Sequence, residues 1–294
     1  MSERLRRTLL FVPGGNEKLL NKGLGLEVDS LILDLEDSVT QDRKASAREA
    51  VTEALIKAEF GSKEKVVRIN ALATDDGRED IQRVVQGKPD TLLVPKVDGA
   101  DDIKTYDRLI SKVEKEEGLP IGDIGLIALI ESPLGIMNIE AIATASPRMQ
   151  GLLFGAADFT RETRGKITVD RPELYYPLMR ILLAARIAGI DALDTPYFDI
   201  NDPAGLERQA LQAKNMGYDG KALIHPSQVE IINRIFTPTR EEINYARRVI
   251  EAFQTARAAG KGAVQLDGKL IENVHVAMAE RILKMASQSG LGSV

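Results

Sequence analysis

The sequence predicts an α/β protein whose main part is a single TIM, or (β/α)8, barrel followed by a C-terminal helical extension. Eight short apolar runs alternate with segments of helical periodicity, and no Asn-Gly hairpin signal separates them. A chain of 294 residues is long enough for eight such units. We place the barrel at residues 1–236 and the extension, with a lid, at residues 237–294. An open doubly wound sheet is the alternative, and it is disfavoured because no glycine-rich dinucleotide fingerprint follows the first strand.

Each predicted strand is an apolar run bounded by turn residues. The eight runs are residues 7–13, 30–36, 65–70, 91–96, 125–130, 151–157, 190–197 and 220–226. Asn16 is the expected N-cap of the first helix, and Asn201 or Asp202 before Pro203 opens a later one. Further helices are predicted at 42–60, 101–117, 172–189, 239–259 and from 269 onward. We expect residues 71–80 to be polar and turn-like and residues 160–172 to form a long polar loop.

The amino-acid composition limits the kinds of binding and catalytic site that the protein can contain. The net charge of −5 gives no support to nucleic-acid binding, and the absence of Cys removes disulfides, thiolate metal sites and Cys nucleophiles. With two His in the chain, a bound metal is expected to be a hard cation held by oxygen, namely Mg²⁺. The sequence shows neither a membrane span nor a leader pattern, so we expect a cytoplasmic protein.

Charged side chains end most of the predicted strands. They are Glu36, Asp37, Arg68, Lys96, Glu131, Asp158 and His225. The carboxyl ends of parallel strands meet at one face of a barrel, where TIM-barrel enzymes place their sites. Two carboxylates at one point repel, and a divalent cation relieves that repulsion, so Glu131 and Asp158 are the predicted Mg²⁺ ligands. Arg68 offers a planar fork for the carboxylate of a small 2-oxo or 2-hydroxy acid.

Four of the strand-end residues are also expected to pair with one another or have alternative roles. We expect Glu36 and Asp37 to pair with Lys96 and to orient the site around the metal, with Asp37 able to reach it through water. Lys96 could alternatively be the Schiff-base lysine of a metal-free aldolase. Arg68 could serve as an ion-pair partner for Glu36 or Glu131.

Seven segments of the chain resemble the citrate lyase β-subunit-like family of the HpcH/HpaI aldolase group. They read RTLLFVPGGNEKLLNK, LILDLEDSV, VVRINA, VPK, ALIESPLGI, FGAADFT and GYDGKALIHPSQV. The resemblance implies a Mg²⁺-dependent TIM-barrel enzyme that cleaves or forms CoA thioesters such as citryl-, malyl- and citramalyl-CoA. It places the metal on Glu131 and Asp158 and the substrate's carboxylate or oxo group on Arg68.

The same resemblance assigns further binding residues. Lys18, Lys22, Ile224 and His225 would lie near the CoA moiety. Backbone N–H groups of Gly155, Ala156 and Ala157 would hold the small acid. In the family, a C-terminal GKMID-type lid reaches a neighbouring subunit's site in a trimer, and its Asp transfers the proton at the acetyl carbon. Here the motif reads Gly268 to Glu272, so Glu272 takes the catalytic position of that Asp.

Three functions are thus compatible with the sequence. The first is a Claisen-type CoA-thioester lyase or synthase that acts as a homotrimer or hexamer. The second is a CoA-independent aldolase for free hydroxy acids, which would need neither the basic first helix nor the lid. The third is a non-catalytic subunit that depends on an acyl-carrier partner.

Overall fold

Eight parallel strands close into a barrel in the computed structural model, which describes residues 4–291. The strands are Thr8–Pro13 (β1), Ser30–Asp34 (β2), Glu64–Arg68 (β3), Thr91–Val94 (β4), Gly125–Ile130 (β5), Met149–Phe154 (β6), Asp191–Asp194 (β7) and Gly220–Leu223 (β8). Each strand pairs with the next in sequence, and β8 pairs with β1. The barrel prediction is confirmed, and the open-sheet alternative is wrong.

Helices connect the strands and form the C-terminal region. They are Glu17–Leu24 (α1), Lys44–Lys57 (α2), Asp75–Val84 (α3), Ala100–Glu116 (α4), Pro133–Met137 (α5), Ile139–Ala143 (α6), Ala156–Thr163 (α7), Tyr175–Ala188 (α8), Pro203–Met216 (α9), Val229–Phe236 (α10), Arg240–Ala258 (α11) and Asn273–Gln288 (α12). Asn16 caps α1 by accepting from the N–H of Leu19, and Asp202 caps α9 by accepting from that of Gly205. Within the described residues, every helix lacks the combination of length and apolarity that crossing a membrane requires.

Two segments predicted to be polar loops contain helices. Residues 71–80 hold the first part of α3, which Thr74 opens by accepting a hydrogen bond from Gly77. Residues 160–172 hold the end of α7. The prediction was wrong because both helices are mostly polar and bury few apolar side chains, so the apolar residues that would indicate a helix are sparse.

A β-hairpin replaces part of the predicted helical tail. Val264–Leu266 (β9) pairs antiparallel with Lys269–Ile271 (β10). The two residues between them, Asp267 and Gly268, both have positive φ, at 49° and 78°. That conformation is typical of a two-residue Asp-Gly turn, a sequence signal that the prediction overlooked.

The described chain divides into two compact units. One is Arg6–Asn233 and contains the barrel, and the other comprises residues 234–291 with residues 4–5. The second unit has its own apolar core, formed by Ala246, Val249, Phe253, Ile271 and Ala279.

The inside of the barrel is layered. A central apolar layer is made of Leu9, Ile32, Val66, Leu93, Ile127, Leu129, Leu153, Leu193 and Ala222. Towards the amino ends of the strands lies a polar network in which the guanidinium of Arg6 donates to the buried Glu64 and to Asp191. Ser30 and Thr91 donate to the same Glu64 carboxylate. This network closes one end of the barrel, and the opposite end remains for a site.

Candidate active site

A ring of charged side chains follows the apolar layer at the carboxyl end of the barrel. Asp34, Arg68 and Glu131 each come two residues after a residue of that layer. Successive side chains of a strand alternate between its faces, so a spacing of two keeps each of them on the inner face. Together they line a cavity of about 410 Å³. Its other lining residues include Phe11, Gly155, Ala156, Ala157, Asp158, Thr195, Phe198 and Ile224.

Arg68 forms a bidentate ion pair with Asp34. Its Nε lies 2.6 Å from Oδ1 and its Nη2 2.7 Å from Oδ2. Burial acts to raise the pKa of Asp34, but the hydrogen bonds and charge of Arg68 outweigh it and hold that pKa below its usual value. The guanidinium also stacks over Phe11, 4.9 Å from the ring centroid.

Glu36 and Asp37 pair with Arg68. The Nη1 of Arg68 lies 3.0 Å from Oε2 of Glu36 and 3.1 Å from Oδ2 of Asp37. The expectation that both acids pair with Lys96 is therefore wrong, because the Arg68 fork, on the neighbouring strand β3, reaches them first. Burial raises the pKa of Glu36 to about 7, against the opposing charge of Arg68 and with the charges of Asp37 and Glu131 adding to it.

Lys96 instead bridges the predicted metal ligands. Its ammonium lies 3.2 Å from Oε1 of Glu131 and 3.1 Å from Oδ2 of Asp158. Its backbone N–H also donates to Oε1 of Glu131, at 2.8 Å. Although partial burial lowers the pKa of Lys96, the two carboxylates raise it above its ordinary value, which argues against a neutral Schiff-base lysine.

The pKa values of the two bridged carboxyl groups are shifted in opposite directions. Burial raises the pKa of Glu131 despite the opposing charge of Lys96. In the less buried Asp158, the hydrogen bond and charge of Lys96 overcome burial and lower the pKa. Asp158 lies in the first turn of α7 rather than at the end of β6, and the positive end of a helix dipole favours a carboxylate there.

The contacts of this carboxylate pair fit a small cation. Both side chains already converge on one positive charge, the ammonium of Lys96. Among residues 4–291 no group of three or more acidic or His side chains is arranged around a metal position, and one or two carboxylates are what Mg²⁺ usually takes from a protein. Gly155 leaves room for Glu131, since a Cβ at position 155 would lie 2.5 Å from the Cβ of Glu131.

Two of the three backbone N–H groups that were predicted to hold the small acid donate hydrogen bonds within the chain. The N–H of Gly155 donates to the carbonyl of Ile130, and that of Ala156 donates to the hydroxyl of Thr195. Ala157 follows in the first turn of α7 and lines the cavity with them.

The residues predicted to lie near CoA are more dispersed. Ile224 lines the cavity, whereas the adjacent His225 accepts a hydrogen bond from the N–H of Ser227 through Nδ1. Lys18 and Lys22 are exposed on α1 and do not line the cavity. Glu272 belongs to the second unit, where it is the N-cap of α12 and its N–H donates to His275.

Sequence reasoning missed two groups of residues around the site. Asp34 lies inside the apolar run at residues 30–36, two positions after Ile32 and two before Glu36, and this spacing of charged residues is a usable signal. A fully buried network also went unnoticed, in which Asp194 accepts from Arg171 and from Lys221. Lys221 donates in addition to the carbonyl of Thr195 and so supports the cavity wall. These three residues are far apart in sequence, and no local pattern connects them.

Comparison with known proteins agrees with this geometry. The family model described as HpcH/HpaI aldolase/citrate lyase matches residues 7–226, and one described as a C-C bond lyase of the TIM-barrel fold matches residues 182–291. Citrate lyase subunit beta of Leuconostoc mesenteroides subsp. cremoris is 40% identical over 290 residues, which cover 99% of this chain and 96% of the relative. A (3S)-malyl-CoA thioesterase of Cereibacter sphaeroides is 38% identical over 280 residues, covering 95% and 94%.

A solved structure is similar to this chain over nearly its whole length. The structure of CitE from Mycobacterium tuberculosis in complex with magnesium, acetoacetate and coenzyme A superposes with a TM-score of 0.78 at 29% identity. The match covers 96% of this chain and 98% of that one. The barrel, the family model and the nearly full-length relatives agree, and the chain belongs to the HpcH/HpaI aldolase/citrate lyase family.

Proposed function

We propose that this protein is a Mg²⁺-dependent carbon–carbon lyase that cleaves the CoA thioester of a hydroxy acid into acetyl-CoA and a 2-oxo acid, or runs the same reaction in reverse. The observation that carries the proposal is the convergence of Glu131 and Asp158 on one cationic position in the cavity that also holds Arg68. A relative named as a (3S)-malyl-CoA thioesterase and the CitE structure that contains coenzyme A support the thioester substrate class, and relatives named as citrate lyase subunits support a lyase.

Glu131 and Asp158 would hold the metal through their carboxylate oxygens, the kind of ligand that Mg²⁺ prefers. A bound Mg²⁺ supplies Lewis acidity at the hydroxyl or oxo oxygen of the substrate. Arg68 would orient the small acid, while its pairing with Asp34 fixes the guanidinium. Ile224, His225, Lys18 and Lys22 are the residues we assign to the CoA moiety, and the amides of Gly155 to Ala157 those near the small acid.

In the cleavage direction, the substrate hydroxyl loses its proton to water, its oxygen becomes the carbonyl of the 2-oxo acid, and the bond between the carbinol carbon and the acetyl α-carbon breaks. The bonding electron pair moves to the thioester as an enolate, which takes up a proton at the α-carbon to give acetyl-CoA. We assign that proton transfer to Glu272, carried on a lid of the second unit. Because the resemblance to the family implies a lid that acts across subunits, we also propose a homo-oligomer, either a trimer or a hexamer.

A cleavage assay tests the proposal. The purified protein is incubated with citryl-, malyl- or citramalyl-CoA, with Mg²⁺ or with excess chelator, and the CoA species are separated by chromatography. We expect acetyl-CoA from one thioester and its loss in chelator. Free CoA together with the intact hydroxy acid would instead identify a thioesterase.

The other candidates give different results in the same assay. Cleavage of free hydroxy acids without CoA would identify an aldolase. Turnover that appears when an acyl-carrier protein replaces CoA would identify a carrier-dependent subunit. Release of acetyl-CoA by the isolated chain is incompatible with both.

A further inference from the structure

Lys96 has an unusual backbone conformation for its place in the fold. It follows Pro95 at the end of β4 and has a φ of 54°, in the left-handed region that a residue with a side chain rarely adopts. Strained residues of this kind concentrate where structure serves a site. The conformation lets Lys96 contact Glu131 twice, through its backbone N–H and through its ammonium.

The ammonium lies in the position that a metal ion would need. It is 3.2 Å from Glu131 and 3.1 Å from Asp158, so one positive charge lies between both carboxylates and reduces their mutual repulsion. Arg161 contacts the other oxygen of Asp158, Oδ1, at 2.7 Å. Glu36 and Asp37, the remaining nearby acids, pair with Arg68. Lys96 is therefore the cation shared by the two proposed ligands.

The side chain of Lys96 also has access to solvent. The side chain of Lys96 is 42% exposed, whereas that of Glu131 is 4% exposed. A lysine side chain has a flexible four-carbon stem and a strongly hydrated end group, so its ammonium can rotate into water while its backbone stays in place. Glu131 would keep the hydrogen bond from the backbone N–H of Lys96 throughout that movement.

We propose that Lys96 is an exchangeable counter-ion, which occupies the cation position between Glu131 and Asp158 when the site holds no metal and moves towards solvent when a divalent cation binds. This inference rests on the proposed function, because it takes those two carboxylates as the metal ligands. Lys96 then has two opposing effects. It preserves the metal-free site against carboxylate repulsion, and it weakens metal affinity because the metal has to displace it.

The test compares Lys96→Met with the wild-type protein in direct Mn²⁺ binding by electron paramagnetic resonance and Mg²⁺ binding by calorimetry. Met has a similar stem, keeps the backbone N–H and lacks the charge. We expect the dissociation constant for the metal to fall about tenfold, since a like charge has left the site. We also expect a lower melting temperature in chelator and a larger rise on adding Mg²⁺ than in the wild type.

Three variants serve as controls. Lys96→Arg keeps a cation and should not tighten metal binding. Lys104→Met removes an exposed lysine that pairs with Asp101 on α4, and it should leave both measurements unchanged. Lys96→Gln is a second neutral variant, used if circular dichroism shows that Lys96→Met is unfolded.

The outcomes separate the two proposals. Absence of metal binding in the wild type would overturn the metal site, and with it the proposed function. Metal binding in the wild type that is lost in Glu131→Gln supports the ligands. If the wild type binds and the neutral Lys96 variants bind equally or more weakly, the counter-ion role is wrong.

Discussion

Asp34 and Arg68 lie opposite each other in the register of β2 and β3, and their side chains form two parallel hydrogen bonds of 2.6 and 2.7 Å at the base of the cavity. Arg68 contacts Glu36 and Asp37 through Nη1 alone, so neither of them reproduces the two parallel hydrogen bonds that Asp34 accepts. Asp34 is 2% exposed, so the pair is shielded from water.

Replacing Asp34 with Asn should therefore destabilise the protein and misplace Arg68. Arg68 keeps its contacts with Glu36 and Asp37 but loses its bidentate anionic partner, and we expect a loss of about 2 kcal/mol in the free energy of unfolding. The measurement is urea denaturation followed by circular dichroism. Glu49→Gln, which breaks the exposed pair with Arg83, is the matched control, with an expected loss below about 1 kcal/mol. Equal losses in the two variants would contradict the argument.

Glu131→Gln and Asp158→Asn should each abolish Mg²⁺-dependent turnover and leave the fold intact. Each substitution preserves the side-chain shape and removes one charged ligand oxygen. The measurements are acetyl-CoA release and the far-ultraviolet spectrum. Turnover at the wild-type rate in either variant would show that these carboxylates are not the metal ligands.

Glu36 should make stability depend on pH. Its pKa of about 7 in the folded state exceeds that of an exposed Glu, so the folded state binds the proton more tightly than the unfolded state. The stability that protonated Glu36 adds to the folded state is fully present below about pH 4.5 and is lost as the pH rises to about 7.

We therefore expect Glu36→Gln to gain stability over the wild type across that interval, by about 2–3 kcal/mol. Denaturation in chelator at pH 5 and pH 7.5 measures the difference, and Glu17→Gln on α1 is an exposed control. A constant difference between the two proteins at both pH values would contradict the shifted pKa.

Glu272 should act across a subunit boundary. Glu131→Gln and Glu272→Ala should each be inactive alone, and co-expression of the two should restore activity. In a randomly mixed cyclic oligomer about a quarter of the sites combine an intact barrel with an intact neighbouring lid. Activity of co-purified, differently tagged chains measures the recovery. Mixtures as inactive as the single variants would contradict the trans arrangement, and full activity of Glu272→Ala would remove its catalytic role.

The barrel was predictable because each strand is buried on both faces and therefore appears as a continuous apolar run, as in Gly125–Ile130. Glu131 and Arg68 were predictable because they stand directly after or at the end of such a run, at the carboxyl end of the barrel, where sites of this fold lie. The partners of those charges were not. Whether Arg68 pairs with Asp34 or Glu131 depends on register and side-chain reach across neighbouring strands, and no local pattern encodes either.

The bridging of Lys96 to Asp158 illustrates the same limit. The two residues are 62 positions apart, and their contact depends on Asp158 lying in the first turn of α7 and on the left-handed backbone of Lys96. A backbone conformation that most lysines avoid cannot be inferred from a Val-Pro-Lys sequence. Only three-dimensional packing selects it.

The spacing of two between the apolar layer and the ring of site residues has a consequence for how this protein can change. Val66 and Arg68 stand on one face of the same strand, so a deletion or insertion of one residue between them would turn the guanidinium outwards to the helices. Substitutions at the ring alter chemistry while the strand keeps its length. Evolution of new substrates on this barrel is therefore expected to proceed by exchange of side chains at fixed positions, with changes of length restricted to the loops.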